Sequence, residues 1–424
     1  MLTSASQTKK SAYPVYLLLT GLTALSFTLV FTVNMIYQVT VVELNPLQLV
    51  LVGTLLEGTV FVFEVPTGIV ADVYSRRLSI IIGVCLTGIA FVVEGSIPAF
   101  AAVLIAQVLW GIGYTFTSGA TEAWIADEVG DERAGDVFMR GSQIGMIAGL
   151  VGIPISTGLG YVHIQLPIIL GGVSFLLLGI VLRWIMPETG FMPTPPDERE
   201  SWRTMVQTFR AGLRLIRGRT ILLIFVGITL FYGLSSEGFD RLWTAHILED
   251  FTFPDVIDLK PVVWFGLIGV VKSVLALGVT EIVRRRLQAG QFSGMARLLL
   301  VANALLILAI WMFGLTGSFW IALIAYLTVR VLQGVSGPVF TAWINPHIDS
   351  KVRATVYSMA GQVDAIGQVA GGPGVGYIGS AWSIRAALVA GGILLSPVLW
   401  LFGYAVRHEA TITPGVPAVE PAGD

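Results

Sequence analysis

Charge is what this chain has least of. Only 12% of its 424 residues are Asp, Glu, Lys or Arg, where soluble globular chains carry roughly 25%. That shortage excludes a disordered chain, and it excludes a nucleic-acid partner, which would need a basic surface. One cysteine, Cys85, excludes an intramolecular disulfide framework and any zinc site built on cysteine pairs. Four histidines without HExxH spacing leave no metalloprotease pattern, and no cofactor is expected. A cleavable leader is not expected either, because the first apolar run starts near Tyr13 and is too long for one. What is plentiful is apolar: 55% hydrophobic residues and 48 glycines, with a mean hydropathy of +0.81. Membrane helices tolerate that much glycine well.

A spanning helix needs about 20 mostly apolar residues. Twelve such runs are predicted, at 14–37, 47–70, 78–95, 99–125, 137–161, 166–186, 220–246, 262–283, 294–313, 318–343, 355–379 and 384–406. The expected fold is an all-α membrane protein of two six-helix, pseudo-symmetric halves around a central cavity. Residues 1–186 would form the N-terminal half, 187–219 a cytoplasmic linker, and 220–424 the C-terminal half with a short tail. Twenty Lys and Arg fall on the side of the two termini and the linker, against only Lys260 and Arg385 on the other. The positive-inside rule then makes both termini cytoplasmic, in a multi-pass protein of the cytoplasmic (inner) membrane. Within the linker, Trp202, Met205, Val206, Phe209, Leu213 and Leu215 alternate with Arg203, Arg210, Arg214 and Arg217. That pattern fits either a basic amphipathic helix on the anionic leaflet or a solvated linker helix.

The two halves repeat one another. Ser118-Gly119, Ala123-Trp124-Ile125 and Arg133-Ala134 return as Ser336-Gly337, Ala342-Trp343-Ile344 and Arg353-Ala354, at offsets of 218, 219 and 220. Asp72 with Arg76-Arg77 returns as Glu281 with Arg285-Arg286, at an offset of 209. Duplicated six-helix units are the build of an alternating-access transporter.

The run Gly68-Ile-Val-Ala-Asp72-Val-Tyr-Ser-Arg76-Arg77 resembles the loop 2–3 signature of the major facilitator superfamily, G-x-x-x-D-R-x-G-R-R, with Val73 and Ser75 departing from it. The segments EVPTGIVAD and SGATEAWIADE look like bacterial drug-efflux members, including relatives of tetracycline and macrolide exporters. The resemblance implies that the cluster latches the halves when the cavity faces outward. Gly68 would let helix 2 approach a neighbour closely. Asp72 would seek a positive partner, and Asp127 is the expected partner of Arg76 or Arg77. Other family patterns are unevenly kept. Span 4 has Gln107-Val-Leu-Trp-Gly111 where proton-coupled members carry R-x-x-Q-G, whereas span 10 has Arg330-Val-Leu-Gln333-Gly334. Span 5 has Gly145, Gly149, Gly152 and Pro154 but no Gly-Pro pair.

Ionisable residues inside a span are costly and therefore candidates for function. Glu57 and Glu64 share a helix face, and Glu57, near mid-membrane, is the kind of group that proton coupling requires. Glu237 and Arg241 are i,i+4 neighbours able to neutralise each other, which leaves Asp240 seeking a partner such as Lys272. Arg330 needs a counter-ion, and Asp364 is one possibility. Glu122 is expected to be paired within the N-terminal half. The proton-coupling candidates are therefore Glu57, Glu237, Asp240, Asp364 and Arg330. Spans 1, 4, 7 and 10 line the cavity in this family, so the substrate candidates are Asn34, Gln38, Trp110, Tyr114, Phe231, Tyr232 and Tyr326.

An aromatic and amide lining suits a small amphipathic organic molecule better than a phosphate. The expected function is export of such compounds, drugs included, by proton antiport, with the proton and the lipid bilayer as the other partners and a monomer as the expected state. The alternatives are a nutrient or metabolite symporter, for which Pro187-Glu188-Thr189-Gly190 resembles sugar-porter loops, and a non-transporting membrane sensor. No nucleophile–base arrangement supports an enzyme.

Overall fold

The computed structural model describes residues 2–193, 195, 219–254, 259–288, 294–349 and 352–408, with scattered positions between 203 and 213. Of the linker residues proposed for an amphipathic helix, Trp202, Met205, Arg214, Leu215 and Arg217 lie outside the described residues. The helices are α1 (Leu2–Phe31, resuming as Asn34–Thr40), α2 (Pro46–Ile69), α3 (Arg76–Ser96), α4 (Phe100–Thr117, resuming as Ala120–Val129), α5 (Asp131–Val162) and α6 (Leu166–Ile185). They continue as α7 (Thr220–Asp250), α8 (Pro261–Gln288), α9 (Met295–Leu315), α10 (Phe319–Ile344), α11 (Arg353–Ala381) and α12 (Ile384–Leu395, resuming as Pro397–Arg407).

Eleven of these helices are long and apolar enough to cross a membrane. The exception to the twelve predicted spans is α11. It has the length but carries Gln362, Asp364 and Gln368 among its glycines, and neighbours α2, α7 and α12 cover it. Side chains such as Leu177, Ile180, Leu308 and Ile324 are exposed, an outward apolar belt that fits a lipid solvent rather than water. Trp184 and Trp382 mark its two edges, where amphipathic rings prefer to sit.

Local chemistry sets several helix ends. Asn45 caps α2 in a capping box with Gln48, next to Pro46. The Ser75 side chain accepts from the Leu78 N–H to start α3, and Ser383 does the same for α12. A π-helical turn, Val70–Tyr74, carries Asp72. The shared Ser-Gly pattern has different outcomes: α4 breaks at Gly119, whose φ is 70°, while α10 runs unbroken through Ser336-Gly337.

Helix α1 packs on α5 and α6, α3 on α4 and α6, and α2 on α4. Likewise α7 packs on α11 and α12, α9 on α10 and α12, and α8 on α10. Between the two groups α2 meets α11 and α7, and α5 meets α8. These meetings are tight at the end away from the chain termini. There the Leu47 N–H donates to Ser380 Oγ at 2.8 Å, and Lys260 Nζ donates to the Tyr161 carbonyl at 3.0 Å. Towards the end bearing the termini, an added Cβ on Gly58, Gly68 or Gly361 would meet nothing within 4 Å. The interior is thus sealed at one end and opens towards the other.

Candidate functional site: a sealed-end cavity and its charges

Helix α1 is interrupted at Thr32–Val33, and α1, α5, α7, α8 and α10 surround a cavity of about 500 Å³. Its walls are largely apolar and aromatic, with Phe27, Phe31, Trp243, Phe265 and Tyr326 among them. A second cavity of about 400 Å³ lies between α2, α4 and α11. It is more polar, and its walls include Glu57, Glu64, Tyr114, Gln362, Asp364 and Gln368.

Ion pairs on α7 run beside both. The Glu237–Arg241 pair forms as expected, with Arg241 Nε to Glu237 Oε2 at 3.3 Å. Gly53 of α2 lies against this pair so closely that a Cβ there would strike the Glu237 carboxylate. Asp240 pairs with Arg330 of α10 at 2.5 Å, not with Lys272. The Arg330 guanidinium also lies over the Phe239 and Tyr326 rings, 5.1 and 5.3 Å from their centroids, a cation–π arrangement that suits a partly desolvated arginine. Asp364 is therefore not the counter-ion of Arg330. It turns towards the second cavity and accepts from Gln368 Nε2 at 2.8 Å.

The other sequence candidates divide. Tyr326 lines the first cavity and Tyr114 the second. Trp110 lines neither cavity; its ring lies tilted against Phe31 of the first, 5.1 Å between ring centroids. Tyr232 instead points into its own helix group, where its hydroxyl donates to Asn303 Oδ1 at 3.0 Å. Phe231 is half-buried and lines neither cavity. Asn34 and Gln38 are buried, and Gln38 Nε2 donates to Glu94 Oε1 at 2.7 Å rather than facing a substrate space.

Glu94 itself was missed by the sequence reading, because it falls at the edge of a predicted span. It is fully buried, with the Tyr37 hydroxyl on its backbone carbonyl at 2.7 Å and Gln107 Nε2 at 3.4 Å from its carboxylate. Nearby, Asn34 Oδ1, Gln38 Oε1 and Gln107 Oε1 have no hydrogen-bond partner. His246 was missed for the same reason. It is fully buried, with Nδ1 2.7 Å from Asp250 Oδ2 and Nε2 2.9 Å from the Phe313 carbonyl. Both ring nitrogens face oxygens, so satisfying both takes two N–H donors or a protonated Asp250.

At the open end, Arg76 pairs with Asp127, the partner expected from the sequence. Arg77 donates to the Arg183 carbonyl. Glu188 accepts from Ser75 Oγ at 2.7 Å and from the Arg77 N–H at 2.9 Å. Glu128 holds the Thr189 hydroxyl and the Gly190 N–H, each at 2.8 Å. All of these bonds stay within residues 75–190. Two expectations change here. Gly68 makes no close approach, and Glu122 is exposed in the first turn after the α4 break rather than paired. The repeat partner of the motif is also built differently: Glu281 bonds Arg284 and Arg285 on one continuous helix, at 2.8 and 2.6 Å.

A helical bundle with a lipid-facing apolar belt, a mid-depth cavity sealed at one end and ion pairs beside it has the build of a membrane transporter. The chain belongs to the Major Facilitator Superfamily, whose profile matches residues 17–371. It is similar to the uncharacterized MFS-type transporter YxaM of Bacillus subtilis (strain 168), with 23% identity over 354 residues, 83% of this chain and 86% of that one. Among solved structures, the nucleoside transporter NupG superposes with a TM-score of 0.76 at 13% identity, covering 93% of this chain and 99% of that one. A bacterial homologue of the human lysosomal transporter Spinster, inward-facing and occupied, gives 0.74 at 14% identity over 97% and 99%. A POT family transporter in complex with 5-aminolevulinic acid gives 0.73 at 11% over 96% and 100%.

Proposed function

We propose that this transporter works by alternating access between two six-helix halves, residues 1–186 and 220–424, and exports amphipathic organic compounds, drugs included, by proton antiport. The observation that carries the reading is the pairing of an aromatic cavity with a second, carboxylate-lined cavity across the α7 ion pairs. The first has the size and apolar character of a small-molecule site. The second supplies Glu57 and Asp364 as groups that can take and release protons. The matching order of helix pairings in the two groups supports the two-half architecture. The charge asymmetry supports cytoplasmic termini in an inner membrane. On that orientation the sealed end is external and the cavity faces the cytoplasm. The motif arginines are then engaged within their own half, as a released latch requires.

The metabolite-symport alternative draws support from the nucleoside and 5-aminolevulinic acid named for the structural neighbours. One experiment separates the two: reconstitute the protein, impose a pH gradient of either direction, and follow labelled amphiphiles and nucleosides. Antiport predicts uphill amphiphile movement against the proton flow. Accumulation of a nucleoside with the proton flow selects symport, and movement indifferent to the gradient removes proton coupling.

A further inference from the structure

The two cavities differ in charge as well as polarity. The ionisable residues lining the polar cavity are all acidic, Glu57, Glu64 and Asp364. The aromatic cavity has one ionisable lining residue, Lys272 of α8. Lys272 lies eleven residues from the start of the Pro261–Arg286 span, roughly 16 Å deep by helix rise. From the middle of a hydrocarbon layer about 30 Å thick, its four-carbon stem does not reach either surface. Its natural counter-ions are engaged elsewhere. Asp240 is held by Arg330 and Glu237 by Arg241, and no carboxylate lies within ion-pair distance of Lys272 among the described residues. These five groups sum to one uncompensated positive charge.

The cavity offers little else polar. The Thr32 and Ser273 hydroxyls are spent on the carbonyls of Thr28 and Gly269, at 2.7 and 2.9 Å. Thr28, Thr244 and Thr280 add further hydroxyls to the lining, that of Thr244 being buried and without a partner among the described residues. The Lys272 ammonium in an otherwise largely apolar and aromatic wall is a donor for one anionic head group.

We propose that the substrate is an amphipathic organic anion, with its acidic group on Lys272 Nζ and its apolar body against Phe31, Phe265 and Tyr326. This inference rests on the transport reading above and narrows its substrate class. A cationic amphiphile is disfavoured in this cavity, since the acidic lining residues Glu57, Glu64 and Asp364 belong to the polar one. A bound anionic ligand would supply the missing counter-ion, and in a cavity open at one end water can solvate the ammonium between cycles.

The test uses one fluorophore with three heads. Equilibrium binding of dansylaminoundecanoate, its primary amide and the corresponding alkylamine is measured on the full chain in nanodiscs, beside vesicle uptake of each. A charge-assisted contact of this kind is worth about ten- to a hundred-fold in affinity. The carboxylate is therefore expected to bind at least about tenfold tighter than the amide, and the amine most weakly. Lys272→Gln should erase that preference while amide binding stays within about twofold, Lys272→Arg should keep it, and Lys272→Glu should turn it towards the amine. Equal binding of all three heads, or a preference that survives Lys272→Gln, overturns the anion assignment while amphiphile transport stands. If none of the three binds or moves, the assignment and the transport reading of this cavity fall together.

Discussion

Gly53 offers a direct test of whether the Glu237–Arg241 pair is built as described. A methyl group at this position would overlap the Glu237 carboxylate, its Cδ lying 2.9 Å from the added Cβ. The protein has two ways out. It can push α2 away from α7, an overpacking response of about 1–3 kcal/mol. Or Glu237 can swing off Arg241; separating a fully buried pair costs about 3–5 kcal/mol, less here because the Arg241 side chain is 17% exposed. Against either stands a helix-propensity gain of about 0.5–1 kcal/mol for alanine over glycine. Gly53→Ala should therefore be net destabilising by about 1–2 kcal/mol. Gly58→Ala, on the same helix with nothing within 4 Å, should be neutral or stabilising. The gap between the two variants is the measurement. Cys85 provides the assay: it is the lone thiol, packed by Gly179 of α6, so a fluorogenic maleimide reports its exposure as the N-terminal half unfolds on heating. Adding Glu237→Ala to Gly53→Ala should cost less than the sum of the single variants, because the clash disappears with the carboxylate. If Gly53→Ala unfolds at or above the temperature of Gly58→Ala, the close approach of α2 to the ion pair is wrong.

Other perturbations address the remaining charges. Glu57→Gln together with Asp364→Asn should abolish substrate-driven proton movement in proteoliposomes while leaving amphiphile binding intact; retained proton flux would remove both as coupling groups. Asp240→Asn should lower thermal stability by about 1–3 kcal/mol by stranding Arg330, and the exchanged pair Asp240→Arg with Arg330→Asp should recover part of it, as read by melting in detergent. His246→Phe keeps the volume but leaves the Phe313 carbonyl and Asp250 Oδ2 without their donor, for a loss of about 1–3 kcal/mol per stranded group; a wild-type melting temperature would show that those bonds are not made. Glu94→Gln should leave stability within about 1 kcal/mol, because an amide can serve its amide neighbours, whereas Glu94→Leu should fall well below it in the same assay.

How much of this was legible in the sequence depends on the distance over which each feature is decided. Spans follow from apolar runs of bilayer length, and ends such as Asn45-Pro46 and Ser75 follow from local capping chemistry, so the helices were readable with small boundary shifts. The Glu237–Arg241 pair was readable because both residues sit on one helix, four apart. The Arg76–Asp127 pair was readable because both residues flank the same membrane edge. Asp240 was not assignable, since Lys272 and Arg330 are equally plausible until the rotation of α7 against α8 and α10 is fixed. Whether Asp364, one possible counter-ion of Arg330, takes that place was undecided for the same reason. Glu94 and His246 were missed because each falls at the last residues of its predicted span, where burial is not evident from the sequence. The break in α1 at Thr32–Val33 carries no glycine or proline to announce it. Helix α11 is the reverse case: it has the length of its neighbours, but Gln362, Asp364 and Gln368 make it less apolar than the other eleven.

The left-handed Gly119 makes the repeat mechanically unequal. In α4 it divides the helix, so the segment carrying Asp127 and Glu128 is a separate piece from the one that holds Gln107 and Trp110. Its counterpart α10 continues as one helix from Arg330 to Trp343, with Pro338 inside it. Arg330 of the Asp240 pair therefore sits on the unbroken helix, and Asp127 of the Arg76 pair on the segment beyond the break. The two helices that share the Ser-Gly pattern thus differ in build, one jointed beside its acidic segment and the other continuous.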